Sequence, residues 1–223
     1  MIGTPRVHHR LTDSTNERAK ALALAGAPHG TLVTADEQSA GRGRQGRVWT
    51  APPGSAVLMS LVLWELDELL PLTAAVAVCE GLPAEAAVKW PNDVWIDGRK
   101  LAGILVEGRP QEGWAVLGIG LNVTTDAFPA ELAESATSLQ LAGVEADVAG
   151  VLDELLASLS RWLVAPRDSV LAAWRALDAL KGERVRWSGG AGIAAGIDDS
   201  GALLVETRNG PVTLDAAEVH LLR

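Results

Sequence analysis

Between Ser55 and Trp64 the chain reads SAVLMSLVLW, an apolar run with no charge and no alternation of polar and apolar residues. It is far too short to cross a bilayer. Apolar continuity without a helical period is the pattern of a strand buried inside a sheet. What flanks it decides the fold class. Asp13-Ser14-Thr15-Asn16-Glu17 supplies capping residues before Ala19, Leu22 and Ala23, which predicts a helix ending near Gly26. Leu69, Leu72, Val76 and Cys79 stand at helical spacing within 69–82, and Val148, Val151, Leu152, Leu155, Leu156, Leu159, Trp162 and Leu163 make an amphipathic helix. A further helix is predicted over 170–180. Thr31 to Ala35 and Trp114 to Val123 read as strands, and Val88 to Glu107 as a hairpin turning at Asp97-Gly98. Residues 125–143 are irregular.

From Gly182 the texture changes to short strands separated by turns at Ser188-Gly189-Gly190, Asp198-Asp199-Ser200-Gly201 and Asn209-Gly210, the spacing of a small antiparallel barrel. The expected fold is therefore α+β. A mixed sheet flanked by helices occupies residues 1–180, and a small barrel occupies 181–223.

The charge balance narrows the partners. With a net charge of −9 the chain is unsuited to gripping a nucleic-acid backbone, so a local cluster of arginines points to one small anionic ligand. Residues 1–13 contain no apolar block, and no membrane or secretory segment is expected. The single cysteine, Cys79, cannot form an internal disulfide, which agrees with a reducing compartment and a cytoplasmic location. Cys79 falls on the apolar face of a predicted helix, as a buried structural thiol does. His8, His9, His29 and His220 have no metal-ligand spacing. Trp162 and Trp174 sit on helix patterns and read as core.

The arginines are in Gly41-Arg42-Gly43-Arg44-Gln45-Gly46-Arg47. Glycines let backbone N–H groups converge on an anion, and guanidinium forks bind carboxylate or phosphate bidentately. Arginines this close repel one another unless an anion lies between them, so the segment is expected to be disordered alone and ordered by ligand. By pattern alone, a solvated linker or an RNA contact fits equally well. Downstream stand Lys89-Trp90-Pro91-Asn92-Asp93 and Lys100-Leu101-Ala102-Gly103-Ile104-Leu105, read as the two arms of the hairpin. Gly118-Ile119-Gly120-Leu121-Asn122-Val123 places small residues in a strand, which marks either a bulge or the close approach of a ligand.

Taken in this order, with Ser14-Thr15-Asn16, Gln38 and Trp49, these runs closely resemble the biotin–protein ligase (biotin–acetyl-CoA-carboxylase ligase) family over about Asp13 to Arg223. The Gly-Arg-Gly-Arg segment followed by Trp, and the Lys-Trp-Pro-Asn-Asp run, are its most specific parts. The resemblance implies a class II synthetase-like catalytic fold with an SH3-like barrel. It also implies a ligase that uses MgATP to convert biotin to biotinoyl-5′-AMP and then biotinylates a lysine of a biotin carboxyl carrier domain. Ser14, Thr15, Asn16 and Gln38 would bind the ureido ring of biotin. Gly41, Arg42, Gly43 and Arg44 would wrap its carboxylate and the α-phosphate, with Gly103, Gly118 and Trp90 completing the biotin pocket. Trp90 and Trp95 either line that pocket or pack the sheet, and for Trp90 the pocket is preferred. Arg47 would face pyrophosphate, and Trp49 would close over the adenylate. Arg44, Lys89 and Lys100 would be the catalytic cations. Asn92, Asp93 and Asn122 would lie near ATP, with Asp93 beside its magnesium.

Two departures stand out. Gln45 occupies a place where some relatives carry a basic residue, and Asp215-Ala216-Ala217-Glu218-Val219 lacks a glycine that often precedes Glu-Val, which suggests a different final barrel turn. The few residues before Ser14 match a ligase-only form without a DNA-binding domain. Lipoate ligases and octanoyltransferases share the general fold but lack the two specific runs. Neither nucleic acid nor membrane is an expected partner.

Overall fold

The computed structural model describes residues 1–64, 68–215 and 219–222. In chain order the elements are β1 (Arg6–Thr12), α1 (Thr15–Leu24), β2 (Leu32–Gln38), β3 (Ala56–Trp64), α2 (Leu70–Glu80), β4 (Ala87–Lys89), β5 (Asp93–Ile96), β6 (Arg99–Arg109), β7 (Trp114–Asn122), α3 (Val148–Trp162) and α4 (Arg167–Ala176). Five short strands follow: β8 (Arg184–Trp187), β9 (Gly190–Ile197), β10 (Leu203–Thr207), β11 (Gly210–Leu214) and β12 (His220–Leu221).

The first seven strands form one mixed sheet in the order β1-β2-β3-β7-β6-β5-β4. Only β1 and β2 run parallel; the other pairs are antiparallel. Strand β3 is central and buried, as its apolar run requires. Side chains alternate across a sheet, so Val57, Met59, Leu61 and Leu63 of β3 and Leu117, Ile119 and Leu121 of β7 face one side, packed with α2, α3 and α4. On the other side Val33, Val62, Trp114 and Val116 pack against Ala19 and Ala23 of α1. The same alternation leaves Ser60, Gly118, Gly120 and Asn122 on the α1 side, next to the start of that helix.

The amphipathic pattern of 148–163 is α3. Its first turn is capped by Asp147, whose carboxylate accepts from the N–H groups of Ala149 (3.0 Å) and Gly150 (2.9 Å). The helix expected over 170–180 is shorter and earlier, at α4. Beyond it Asp178 accepts from the N–H of Leu180 at 2.8 Å and turns the chain towards the C-terminal strands.

Two expectations are corrected. Strand β1 has no signal in the sequence because it is an edge strand paired only with β2, with most of its side chains exposed. Charged Arg6 and Arg10 blunt that edge. The hairpin over 88–107 is a three-stranded meander. Pro91, which cannot donate to a ladder, lies in the turn between β4 and β5, and Asp97-Gly98 lies in the turn between β5 and β6. Lys89 and Lys100 are therefore on the first and third strands, not on two paired arms.

The C-terminal strands make a separate antiparallel sheet, ordered β11-β10-β9-β8-β12, as the turn spacing indicates; the described ladders leave its two edges unjoined. Asp198 builds one of the predicted turns, accepting from the backbone N–H groups of Ser200 (2.8 Å) and Ala202 (3.1 Å). Hydrogen bonds to Ser200 hold its carboxyl below the ordinary range. The reading of a different final turn at 215–219 falls on residues 216–218, which lie outside the described residues. This sheet docks on the first through Trp90, whose Nε1 donates to the Gly201 carbonyl at 3.0 Å.

Candidate active site

Strand register, more than any single motif, assembles the site. Lys89 pairs with Asp93, Asp93 with Gly103, Gly103 with Gly120, and Gly120 with Leu58. This row crosses the sheet from β4 to β3. The neighbouring row is Leu105, Gly118 and Ser60. Two glycines side by side and a third in the next row leave a flat floor without side chains. Above it opens a cleft of about 700 Å³, within the usual range for a small-molecule site.

Lys100 reaches this cleft through an irregularity. Strict alternation from Gly103 would turn Lys100 to the core face with Ala102 and Ile104. The pairing instead skips from Val94–Ala102 to Trp95–Lys100, so Leu101 is an extra residue that sinks into the core while Lys100 and Trp95 turn to the cleft. A β-bulge re-aims a side chain in this way. Lys100 Nζ then lies 2.7 Å from Asp93 Oδ1 and 5.7 Å from the centre of the Trp49 ring. Lys89 Nζ is 5.5 Å from the centre of the Trp95 ring.

At one end of the cleft stand the first residues of α1. Ser14 occupies the N-cap position without making a side-chain cap. The cap comes from a distant strand: Gln38 Oε1 accepts from the backbone N–H of Thr15 at 2.7 Å and from its hydroxyl at 3.1 Å. Asn16 is fixed at both ends of its amide. Its Oδ1 accepts from Ser60 Oγ at 2.6 Å, and its Nδ2 donates to Glu107 at 2.9 Å. The Ser60 hydroxyl also lies 2.8 Å from that of Thr15. An end built from hydroxyls and amides on a helix N-terminus suits a neutral polar ring.

The loop over 41–47 forms the roof. It is closed by hydrogen bonds from Gly43 N–H to the Arg47 carbonyl (2.8 Å) and from Trp49 N–H to the Gly41 carbonyl (3.0 Å). Its arginines also have partners within the protein. Arg42 contacts the carboxylates of Glu17 and Glu107, and Arg44 donates to Asn92 Oδ1 at 2.9 Å. Glu17 is held below its usual range, first by its hydrogen bond from Lys20 and further by Arg42. Asn92 is itself oriented by donating to the Ile104 carbonyl at 2.8 Å. Gln45 adopts a left-handed conformation (φ 55°, ψ 35°) and points to solvent.

Trp49 lies flat on the glycine floor. A Cβ at Gly120 would come within 2.5 Å of its ring, and one at Gly103 within 3.0 Å. Three side chains lining the cleft carry a buried polar atom with no hydrogen-bond partner among the described residues: Trp49 Nε1, Trp95 Nε1 and Asn122 Oδ1. Such atoms cost about 1–3 kcal/mol each when left unpaired.

The cleft gathers Ser14, Thr15, Asn16, Gln38, Arg42, Gly43, Arg44, Arg47, Trp49, Lys89, Asn92, Asp93, Lys100, Gly103, Gly118 and Asn122. Gly41 is not on its wall but behind it, where any Cβ would meet the Trp49 carbonyl. Trp90 is the correction among the site residues. It is 1% exposed and packs between the two sheets, and Trp95 lines the cleft instead. Side-chain parity explains the exchange, because Trp90 sits in the β4–β5 turn while Trp95 faces Lys100 across the bulge. Ser60 and Glu107 were not anticipated. A serine inside an otherwise apolar buried strand was a signal for the first; Glu107 had none.

Comparison with known proteins agrees with this geometry. Residues 8–123 match the model of the biotin/lipoate A/B protein ligase family, and residues 191–222 match the biotin protein ligase C-terminal domain. The chain is 38% identical to the bifunctional ligase/repressor BirA of Bacillus spizizenii, covering 99% of this chain and 75% of that one. It is also 38% identical to the biotin–[acetyl-CoA-carboxylase] ligase of Mycobacterium tuberculosis, over 95% of this chain and 87% of the relative. A biotin protein ligase from Aquifex aeolicus, solved in complex with biotin and ATP, superposes with a TM-score of 0.85 at 28% identity over 99% of both chains. The family match spans more than half of the chain and the relatives span nearly all of it, and on both grounds this chain belongs to the biotin protein ligases of the biotin/lipoate A/B protein ligase family.

Proposed function

We propose that the cleft activates biotin with ATP and passes it to a lysine of a biotin carboxyl carrier domain. The supporting observation is its polarity along the glycine floor. Uncharged hydrogen-bonding groups of Thr15, Asn16 and Gln38 stand at one end, and Arg44, Lys89 and Lys100 surround the other. Biotin has the same asymmetry, a neutral ureido ring joined by an aliphatic chain to a carboxylate.

In the first step a biotin carboxylate oxygen attacks the α-phosphorus of ATP and pyrophosphate leaves, giving biotinoyl-5′-AMP. Two anions must meet, so Arg42, Arg44, Lys89 and Lys100 act by neutralising charge where it accumulates, with Arg47 towards the departing pyrophosphate. Positioning on the floor supplies much of the remainder. In the second step the carrier lysine amine attacks the acyl carbon, and AMP leaves with the bonding electrons. Trp49 covers the adenylate. Asn92 holds Arg44.

Magnesium belongs to this chemistry as the partner of the ATP phosphates. Among the described residues no three His, Cys, Asp or Glu side chains form a metal cage. That donor set suits an ion carried mainly by phosphate and water, and Asp93, already beside Lys100, offers one carboxylate oxygen to it. We assign the catalytic unit to residues 1–180 and the SH3-like unit to 181–223, with the latter available to ATP or the carrier. No described helix is long and apolar enough to cross a membrane, and an ATP-consuming reaction with a single buried thiol suits the cytoplasm.

The test is ATP-dependent transfer of biotin to a carboxyl carrier domain, with lipoate and octanoate as competitors. Biotin transfer that lipoate does not suppress is expected. Transfer of lipoate or octanoate instead would refute the assignment.

A further inference from the structure

Glu107 sits on β6, outside the lining of the cleft, with its side chain 20% exposed. By strand alternation it faces the same side as Gly103 and Leu105 and pairs with Val116. Its two carboxylate oxygens serve different parts of the site. One accepts from Asn16 Nδ2 at 2.9 Å. The other accepts from Lys20 Nζ at 2.7 Å and from an Arg42 guanidinium nitrogen at 3.2 Å. Asn16 belongs to the floor of the polar end and Arg42 to the roof.

We propose that Glu107 is a positioning residue that sets the floor and the roof of the biotin pocket together. The inference rests on the biotin-binding reading given above. The chemistry demands a carboxylate. Asn16 Oδ1 is committed to the Ser60 hydroxyl, so its Nδ2 must face Glu107 as a donor, while Lys20 and Arg42 are donors as well. Both oxygens of residue 107 therefore have to accept. A glutamine of the same shape has one acceptor and one donor. It either confronts Asn16 with an N–H, so that the amide must turn over and set an N–H against Ser60 where its carbonyl had been, or confronts Arg42 with an N–H and releases the loop. Lys20 contacts only the second oxygen, so its removal leaves both tasks in place.

The test compares wild type, Glu107→Gln, Lys20→Met and the double variant Asn16→Asp with Glu107→Gln. In the double variant the carboxylate introduced at position 16 accepts from both Ser60 and the amide N–H introduced at position 107. The carbonyl oxygen of that new amide still faces Lys20 and Arg42. Biotin affinity is read by calorimetry without ATP, and loop release by the rate of tryptic cleavage within 42–47. Glu107→Gln should weaken biotin about tenfold or more and speed cleavage at the loop. Lys20→Met should change affinity by less than about twofold. The double variant, whose changed Asn16 is itself part of the pocket, is read by the loop alone, and its rate of tryptic cleavage should return to near that of wild type. Wild-type affinity and cleavage in Glu107→Gln, an equal loss in Lys20→Met, or no recovery of loop protection in the double variant would each overturn the proposal. If Glu107→Gln alone does not fold, recovery of a folded protein with a protected loop in the double variant supports the assignment, and its absence refutes it. Absence of biotin binding by the wild type would refute the functional reading instead, leaving the cleavage rates to judge the coupling of Glu107 to the loop.

Discussion

Replacing Gly118 by alanine isolates the floor of the site. No positive φ is required at this position, so the strand backbone accepts a side chain, and alanine in place of glycine within an element gains roughly 0.5–1 kcal/mol. What opposes it is Asn16. An added Cβ would lie 2.9 Å from Asn16 Cγ and 3.0 Å from Nδ2, and closer still to Oδ1. Ordinary contact distances are about 3.5–4.0 Å, so the amide must move by roughly an ångström. Asn16 is only 4% exposed and is held at both ends, by Ser60 at 2.6 Å and by Glu107 at 2.9 Å. Losing the neutral bond costs about 1 kcal/mol and losing the one to the carboxylate about 1.5–3 kcal/mol. The net effect is a destabilisation of about 2 kcal/mol, or a fall in Tm of about 4–8 °C for a chain of this size. Biotin affinity should fall at least about tenfold, since the same amide belongs to the pocket. Thermal melting and calorimetry on one preparation measure both. A rise in Tm with unchanged affinity would show that Asn16 yields freely and that the network around it is not rigid.

Gly120→Ala is expected to leave Tm nearly unchanged, because the nearest atoms to its Cβ, at 2.5–2.9 Å, all belong to the ring of Trp49 on the loop; adenylate release, followed by loss of labelled AMP adduct, should accelerate about tenfold. Lys100→Ala should nearly abolish biotin-dependent pyrophosphate exchange while the protein stays folded by circular dichroism, since Lys100 is a surface-reaching cation whose ion pair is with Asp93. Burial pushes the Cys79 thiol up to about 12, so only about one molecule in ten thousand is thiolate at pH 8, and a thiol reagent should label it only after unfolding. Asp178 has its carboxyl raised above the ordinary value of 3.8 by burial, and its Oδ2 has no hydrogen-bond partner among the described residues. The fold therefore favours its protonated form, and its contribution is lost as pH rises past that raised value. Asp178→Asn should match wild type near pH 4 and melt a few degrees higher at pH 7, for about 1 kcal/mol; an equal difference at both pH values would refute the cause.

Local pattern was enough for elements whose stability is local or whose burial is complete. The buried strand over 55–64, the heptad-like stripe of α3 and the Asp97-Gly98 turn each carry their own period or conformational demand, and the structure follows them. The glycines and cations of the site are likewise written in sequence, because a bare floor needs Gly118 and Gly120 and a pocket for anions needs Arg44, Lys89 and Lys100. Tertiary structure alone decided which side chains share a face. The bulge at Leu101 shifts parity by one residue on β6 and brings Lys100 into the cleft beside Trp95, which no count along the chain reveals, while Trp90 lies in the turn at Pro91 and packs between the sheets. Strand β1 is held by a neighbour rather than by its own apolar residues. Glu107 acquires its role only because antiparallel pairing brings β6 beneath a helix some ninety positions earlier in the chain. Periodicity determines what a segment becomes; register determines what it meets, and register is set by pairing between segments that are distant in sequence.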